Sequence, residues 1–251
     1  MIGILVSLKK EIEPFLEALT DVHRRRVAGC TLWEGSFKDV SVRVVVTGIG
    51  KDVPALTLDG CGVVVSTGFC GALRPDMTCG DLVLSNEVAF AGEEILRKIT
   101  SSSEAAGRFE GTGLFRLSIS GHVREHLSRL ARQRDLSLHV GRSVTCARVI
   151  RSEAEKRRLE HYFDAHAVDM EDFLRIGRAR RIGIEVLCVR AVFDEIKDTV
   201  PSFRGGLHLR GASSLLRKIP SAQKSISLML NESVPFLVDT MEIGGECSIL
   251  K

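Results

Sequence analysis

Paired cysteines are missing from this sequence. Its seven cysteines (Cys30, Cys61, Cys70, Cys79, Cys146, Cys188 and Cys247) are odd in number and scattered, with no C-x-x-C pair. A disulfide framework or a zinc knuckle needs paired spacing, so these residues read as reduced thiols, several of them buried in apolar runs such as "LCV" around Cys188. The seven histidines are equally scattered, so neither a metal nor another cofactor is expected. No apolar run approaches the ~20 residues of a membrane span. The N-terminal "MIGILVSLKKE" carries its apolar residues first and its charges after, the reverse of a signal peptide. Charge of one sign is lacking too. Thirty-five basic residues face 32 acidic ones, a balance that argues against nucleic acid or an anionic membrane as partner. Arg24-Arg25-Arg26 and Arg178–Arg181 read as solvated faces. Neither a Pro/Gly/Ser-rich linker nor an internal repeat interrupts the chain. One domain over residues 1–251 is expected, with 215–251 as a C-terminal helical tail, in a soluble cytoplasmic protein.

What is present is a chain of 251 residues, 44% of them hydrophobic, long enough to bury a substantial core. Short β-rich runs recur at Ile2–Val6, Val42–Thr47, Val63–Thr67, Leu82–Leu84 and Ile184–Val192. Between them lie helical patterns with apolar residues three or four apart, at Ile12–Leu19, Val123–Leu130 and Phe173–Ile176. This alternation predicts an α/β protein with a central sheet. Trp33–Phe37 with Val40–Val46 behind it reads as an antiparallel hairpin, so the sheet is expected to be mixed. Ser101–Gly111, "SSSEAAGRFEG", reads as a surface loop. Leu215–Val238 is helical in pattern but interrupted by Pro220 and Pro235.

Several segments are candidates for chemistry. "TGIGK" (Thr47–Lys51) follows a strand, but a phosphate-binding Walker loop would need glycine where Val45 stands. It reads as a glycine turn, either plain or approaching a ligand. In "VVVSTGFCGAL" (Val63–Leu73), Gly68 and Gly71 at a strand's end permit positive φ and bare backbone N–H groups. "EVLCVRAVFDE" (Glu185–Glu195) runs from a buried-looking strand into Asp194, beside Phe193. An acid at the end of a central α/β strand lies where such sheets build sites. Desolvation by the aromatic would raise its pKa, as a general acid requires. The ordinary reading is a helix cap or an ion pair with Arg190. Glu11, and Asp169, Glu171 and Asp172 in "AVDMED" (Ala167–Asp172), have an equally ordinary reading as acids at helix starts.

Together and in this order, the segments resemble the nucleoside phosphorylase/nucleosidase superfamily, most closely its methylthioadenosine/S-adenosylhomocysteine nucleosidase branch. The resemblance runs from Met1 to about Asp198. Its anchors are the N-terminal strand with its acid, "TGIGK", "STGFCGALRPDMTCGDLVLSNE", and "AVDMED" followed by "VRAVFDE". It implies a three-layer α/β/α fold around a mixed, partly closed sheet. It also implies a homodimer or larger homo-oligomer acting on a small-molecule nucleoside. By resemblance, Asp194 donates a proton to N7 of the purine and Glu11 activates the attacking water. Glu171 binds the sugar hydroxyls, Met170 packs on the ring, and Asp169 stands where the family usually has a glutamate. Gly68, Phe69 and Phe193 fall beside the substrate, and backbone at Val149 and Ile150 falls at the purine edge.

The resemblance leaves the nucleophile and the substrate to be settled. Phosphorylases of the superfamily hold phosphate with arginine and serine in the segment matching "STGFCG" and in a glycine- and arginine-bearing N-terminal loop. Here those positions carry Ser66 and Phe69, and no arginine precedes Arg24. Water is therefore the expected nucleophile, and a purine nucleoside phosphorylase is the alternative. Phe69 replaces a small residue, Phe193 stands where serine is usual, and "TCARV" lacks the usual Ser-Gly-Asp pattern. The extra aromatics suggest a larger or more apolar 5′ group. Relatives acting on futalosine or adenosylated hopanoid lipids, and a non-catalytic nucleoside-binding protein, stay open.

Overall fold

The computed structural model describes residues 1–101, 109, 113–201 and 214–243. The chain opens with β1 (Ile2–Val6), then α1 (Glu13–Glu17), β2 (Thr20–Val27), β3 (Cys30–Phe37) and β4 (Val40–Val46). It continues through β5 (Val63–Ser66), β6 (Phe69–Ala72), β7 (Leu82–Ala91), α2 (Glu93–Ser101) and β8 (Leu114–Arg116). Then follow α3 (Gly121–Gln133), β9 (Leu138–Cys146), α4 (Glu153–Phe163), β10 (Ala167–Asp169), α5 (Asp172–Arg181), β11 (Glu185–Asp194) and α6 (Ile219–Ile243).

The strands form one mixed sheet in the order β2-β3-β4-β1-β5-β11-β6-β10-β9-β7-β8. β7 also pairs with β11, so β11, β6, β10, β9 and β7 close into a ring while β5, β1, β4, β3 and β2 extend from it as an open wing. The expectation of a mixed, partly closed sheet is met. β11 makes the junction by being long. Its first half runs parallel to β5 from Glu185 to Cys188, and its second half pairs with β6 and β7. β1 lies between parallel β4 and β5 with all five residues buried, so "IGILV" is apolar throughout instead of alternating.

Two helical layers explain that burial. Ile4 and Val6 point to the face covered by Ile226, Met229, Leu230 and Val234 of α6 and by Phe15 of α1. Leu5, one residue on, points to the opposite face, against Ile176 and Ala179 of α5. A third cluster packs Leu159 and Phe163 of α4 with Leu96 and Ile99 of α2 against Ala91 and Val144. This is the expected α/β/α arrangement.

The hairpin forms as β3–β4, with Phe37 opposite Val40, and is extended by β2. β2 lies at the sheet's edge, its three arginines exposed, so the solvated-face reading holds there. β7 is far longer than the expected Leu82–Leu84. It carries its polar "SNE" stretch through a register shift between Ser85 and Glu87 and stays paired with β9. Neither proline interrupts the C-terminal helix. Pro220 lies in its first turn, where a missing N–H costs nothing, and α6 continues through Pro235. The candidate loop Ser101–Gly111 lies, apart from Ser101 and Phe109, outside the described residues. Among the described residues no helix is long and apolar enough to cross a membrane.

Candidate active site

Glu11 ends up in a cradle of amides. It sits in a short 3-10 turn (Lys9–Ile12) after β1, 5% exposed. Its Oε2 accepts from Ser7 N at 3.1 Å and Leu8 N at 2.7 Å, while Oε1 accepts from Phe69 N at 2.9 Å. Burial pushes the Glu11 carboxyl above its ordinary range, opposed by the Phe69 and Leu8 amides and by the Arg190 charge. Gly68 makes the approach possible. A Cβ there would lie 2.9 Å from Glu11 Oε1.

The acids of "AVDMED" divide between two tasks. Asp169 Oδ1 accepts from the Glu171 and Asp172 amides at 2.7 and 2.8 Å and from Thr145 Oγ1 at 3.0 Å, pinning the turn from β10 into α5. Its buried Oδ2 has no hydrogen-bond partner. Glu171 faces the "TGIGK" turn, where Gly50 N donates to its Oε1 at 2.8 Å and Arg190 Nη2 to its Oε2 at 3.2 Å. The Met170 methyl lies against the same turn, 3.4 Å from where a Gly50 Cβ would stand.

Asp172 is more than a helix-start acid. It is fully buried, accepts two Arg190 hydrogen bonds at 2.7 Å, and takes the Ser66 hydroxyl at 2.6 Å. Arg175, one helical turn on, is buried too and donates to the hydroxyls of Ser7, Thr47 and Ser66 at the ends of β1, β4 and β5. Sequence reading missed both roles, because an acid and an arginine three apart on a helix look like an ordinary surface pair.

At the far end of β6 stands Asp194, 8% exposed. Gly71 backs it as Gly68 backs Glu11, since a Cβ at Gly71 would meet Asp194 Oδ2 at 2.9 Å. Its partner is Lys156 Nζ, 2.5 Å from Oδ2, and not Arg190, whose hydrogen bonds go to Asp172, Glu171 and the Phe69 carbonyl and which also lies 3.8 Å from Asp169 Oδ1. Burial pushes the Asp194 carboxyl above its ordinary range, and the Lys156 charge opposes it. Phe69 and Phe193 stack at 5.1 Å between ring centroids and 11° between planes, both half-buried. The segment Gly68–Gly71 thus bears on both acids, through the Phe69 amide at one end and Gly71 at the other. Ile150 buries its side chain in the α2/α4 core, and the Val149 carbonyl accepts from Arg148 at 3.3 Å. Nothing in "SEAEK" marks Lys156 in the sequence, because only the tertiary fold carries α4 under the end of β11.

A half-open, half-closed mixed sheet between helical layers, with buried acids gathered around Gly68–Gly71, defines an α/β protein of the nucleoside phosphorylase-like fold. Residues 1–206 match the family model of the phosphorylase superfamily, and the chain belongs to that superfamily. It is 36% identical over 93 residues to the 5′-methylthioadenosine/S-adenosylhomocysteine nucleosidase of Haemophilus ducreyi, a match covering 35% of this chain and 40% of that enzyme. The corresponding Staphylococcus aureus nucleosidase is 26% identical over 201 residues, covering 77% of this chain and 86% of the relative. The nucleosidase of Neisseria meningitidis, solved with methylthio-immucillin-A, superposes with a TM-score of 0.71 at 20% identity. That superposition covers 93% of this chain and 97% of the other.

Proposed function

We propose that the protein hydrolyses the N-glycosidic bond of a 5′-substituted adenine nucleoside, with Asp194 as general acid and Glu11 as general base. The observation that carries this reading is the pair of buried carboxylates served by one segment, Glu11 at the Phe69 amide and Asp194 against Gly71. In the reaction the C1′–N9 bond breaks and its electrons go to the purine. Asp194 delivers its proton to N7, and water adds to C1′ while Glu11 takes its proton. Positive charge grows on the sugar, and Glu171 beside Met170 lies where an anion would bind the ribose hydroxyls and favour that charge. Such acid–base help is typically worth about 10²–10⁴-fold for each group. The Phe69–Phe193 stack forms an apolar wall beside the base, and the backbone of Val149 and Ile150 is assigned its edge. The similarity to 5′-methylthioadenosine/S-adenosylhomocysteine nucleosidases supports the same class of substrate.

Water is preferred to phosphate for a geometric reason. Ser66, the hydroxyl in the position where phosphorylases hold phosphate, is fully buried and committed to Asp172 and Arg175. Incubation with methylthioadenosine, S-adenosylhomocysteine, adenosine, inosine and futalosine, with and without phosphate, tests this by release of free base. Release from the 5′-thio adenosines without phosphate is expected; strict phosphate dependence sinks the hydrolase. The Asp194→Asn variant is expected to lose turnover yet still bind methylthioadenosine by calorimetry, and near-normal turnover would refute its acid role.

A further inference from the structure

Lys156 is a cation in a place that disfavours one. It is the fourth residue of α4, whose start is set by Ser152 capping the Glu155 amide and Glu155 returning to the Ser152 amide. The first turn of a helix carries the positive end of its dipole and prefers acids, such as the neighbouring Glu153 and Glu155. Lys156 is also completely buried, which for an ammonium is costly unless charge and hydrogen bonds compensate. Compensation comes from one direction. Nζ contacts Asp194 Oδ2 at 2.5 Å, the Glu195 carbonyl, and the Asp198 carbonyl at 3.4 Å, so its three protons face three oxygens at the exit of β11.

We propose that Lys156 is the positioning residue of the general acid: its ammonium aims Oδ2 of Asp194 and receives the carboxylate left when the proton passes to the departing purine. The inference rests on the acid role assigned to Asp194 above. The step balances without any further reactant. The purine gains the proton at N7 with the electrons of the broken C1′–N9 bond, Asp194 becomes an anion, and solvent returns its proton after product leaves. A fixed cation at 2.5 Å stabilises that anion as it forms, and in a dry site the effect is far larger than in water. Lys156 therefore sets the strength of the acid, lowering the proton affinity that burial of Asp194 raises. Other charges around the pair are already spoken for. Lys218, ahead of α6, is bound to Glu195 at 2.8 Å and Asp198 at 2.6 Å. On the β6 side the nearby titratable group is the buried Cys70 thiol, pushed well up by burial.

The test is kcat and KM against pH on 5′-methylthioadenosine for the wild type, Lys156→Met, Lys156→Arg and Asp194→Asn. Removing the cation should move the falling alkaline limb to higher pH and lower kcat by at least about tenfold, while KM changes by less than about threefold. Lys156→Arg should restore the limb. A wild-type limb and kcat in Lys156→Met, with Asp194→Asn inactive, overturns the role of Lys156 alone. An active Asp194→Asn overturns the acid assignment beneath it. Should Lys156→Met not fold, NMR of wild-type protein labelled at lysine Nζ and aspartate carboxyl decides. The Lys156 signal must shift over the pH range in which Asp194 titrates, and a flat signal overturns the proposal.

Discussion

Gly68 holds its backbone at φ 136°, and Gly71 leaves a gap filled by the Asp194 carboxylate. At the residue scale these two absent side chains shape the site as much as the acids do. Gly68→Ala would force a residue with a Cβ into a region of backbone space that costs about 1–3 kcal/mol. It would also drive that Cβ against Glu11. The expected result is a fall in kcat of about a hundredfold with a stability loss within that range, read by steady-state kinetics and thermal melting. An unchanged kcat would place Glu11 outside the reaction. The sequence anticipated the positive φ found at Gly68, whereas Gly71 does not adopt one and is needed for the space its missing Cβ leaves to Asp194. Neither carboxylate contact was legible, since each comes from a distant part of the chain. Glu11, Glu171 and Asp194 were picked out by motif and order, whereas Lys156 and Arg175 were not. Their bonds run to β11 and to the ends of β1, β4 and β5, contacts that no local pattern encodes.

At the element scale, α6 shows how a pattern-breaking residue is accommodated. Pro235 has no N–H for the carbonyl of Asn231, four residues earlier. That carbonyl accepts instead from Lys38 Nζ at 3.2 Å, from the turn between β3 and β4. The helix continues where proline predicts a break, and a loop remote in sequence supplies a donor to the carbonyl that the proline leaves free. Lys38→Ala should cost about 1 kcal/mol or less in chemical denaturation. In a Pro235→Ala background, where the backbone donor returns, the same change should cost nearly nothing. Equal costs in both backgrounds of this double-mutant cycle would show that Lys38 does not replace the proline's donor.

The whole molecule draws its pH dependence in part from one buried group. Asp169 is pushed up to about 7, chiefly by burial and then by the Asp172 charge, with Arg190 opposing. Its value in the folded protein lies above the ordinary 3.8, so the fold binds this proton more tightly than the unfolded chain does. The resulting stabilisation is complete below about pH 4 and is lost as pH rises through about 7. Asp172 runs the other way. Despite its burial, Arg190 holds it low, so its contribution is present above the ordinary carboxylate range and lost on acidification. Asp169→Asn removes only the first effect. Its melting temperature should gain on that of the wild type between pH 5 and pH 8, and a constant difference across that range would refute the assignment.

The sequence by itself determined the alternation that makes this an α/β protein, the hairpin of β3 and β4, and the order of motifs that marks the superfamily. Those features are local: apolar periodicity, β-branched runs and glycine turns act over a few residues. Tertiary structure decided the rest. Closure of the sheet depends on β7 meeting β11. The charge setting of the candidate acid depends on α4 carrying Lys156 to Asp194. Arg190 chose Asp172 and Glu171 over the nearby Asp194 because the strand directs its side chain to the α5 side of the sheet. Buried charges are placed by partners distant in sequence, and only the folded chain brings those partners within hydrogen-bond reach.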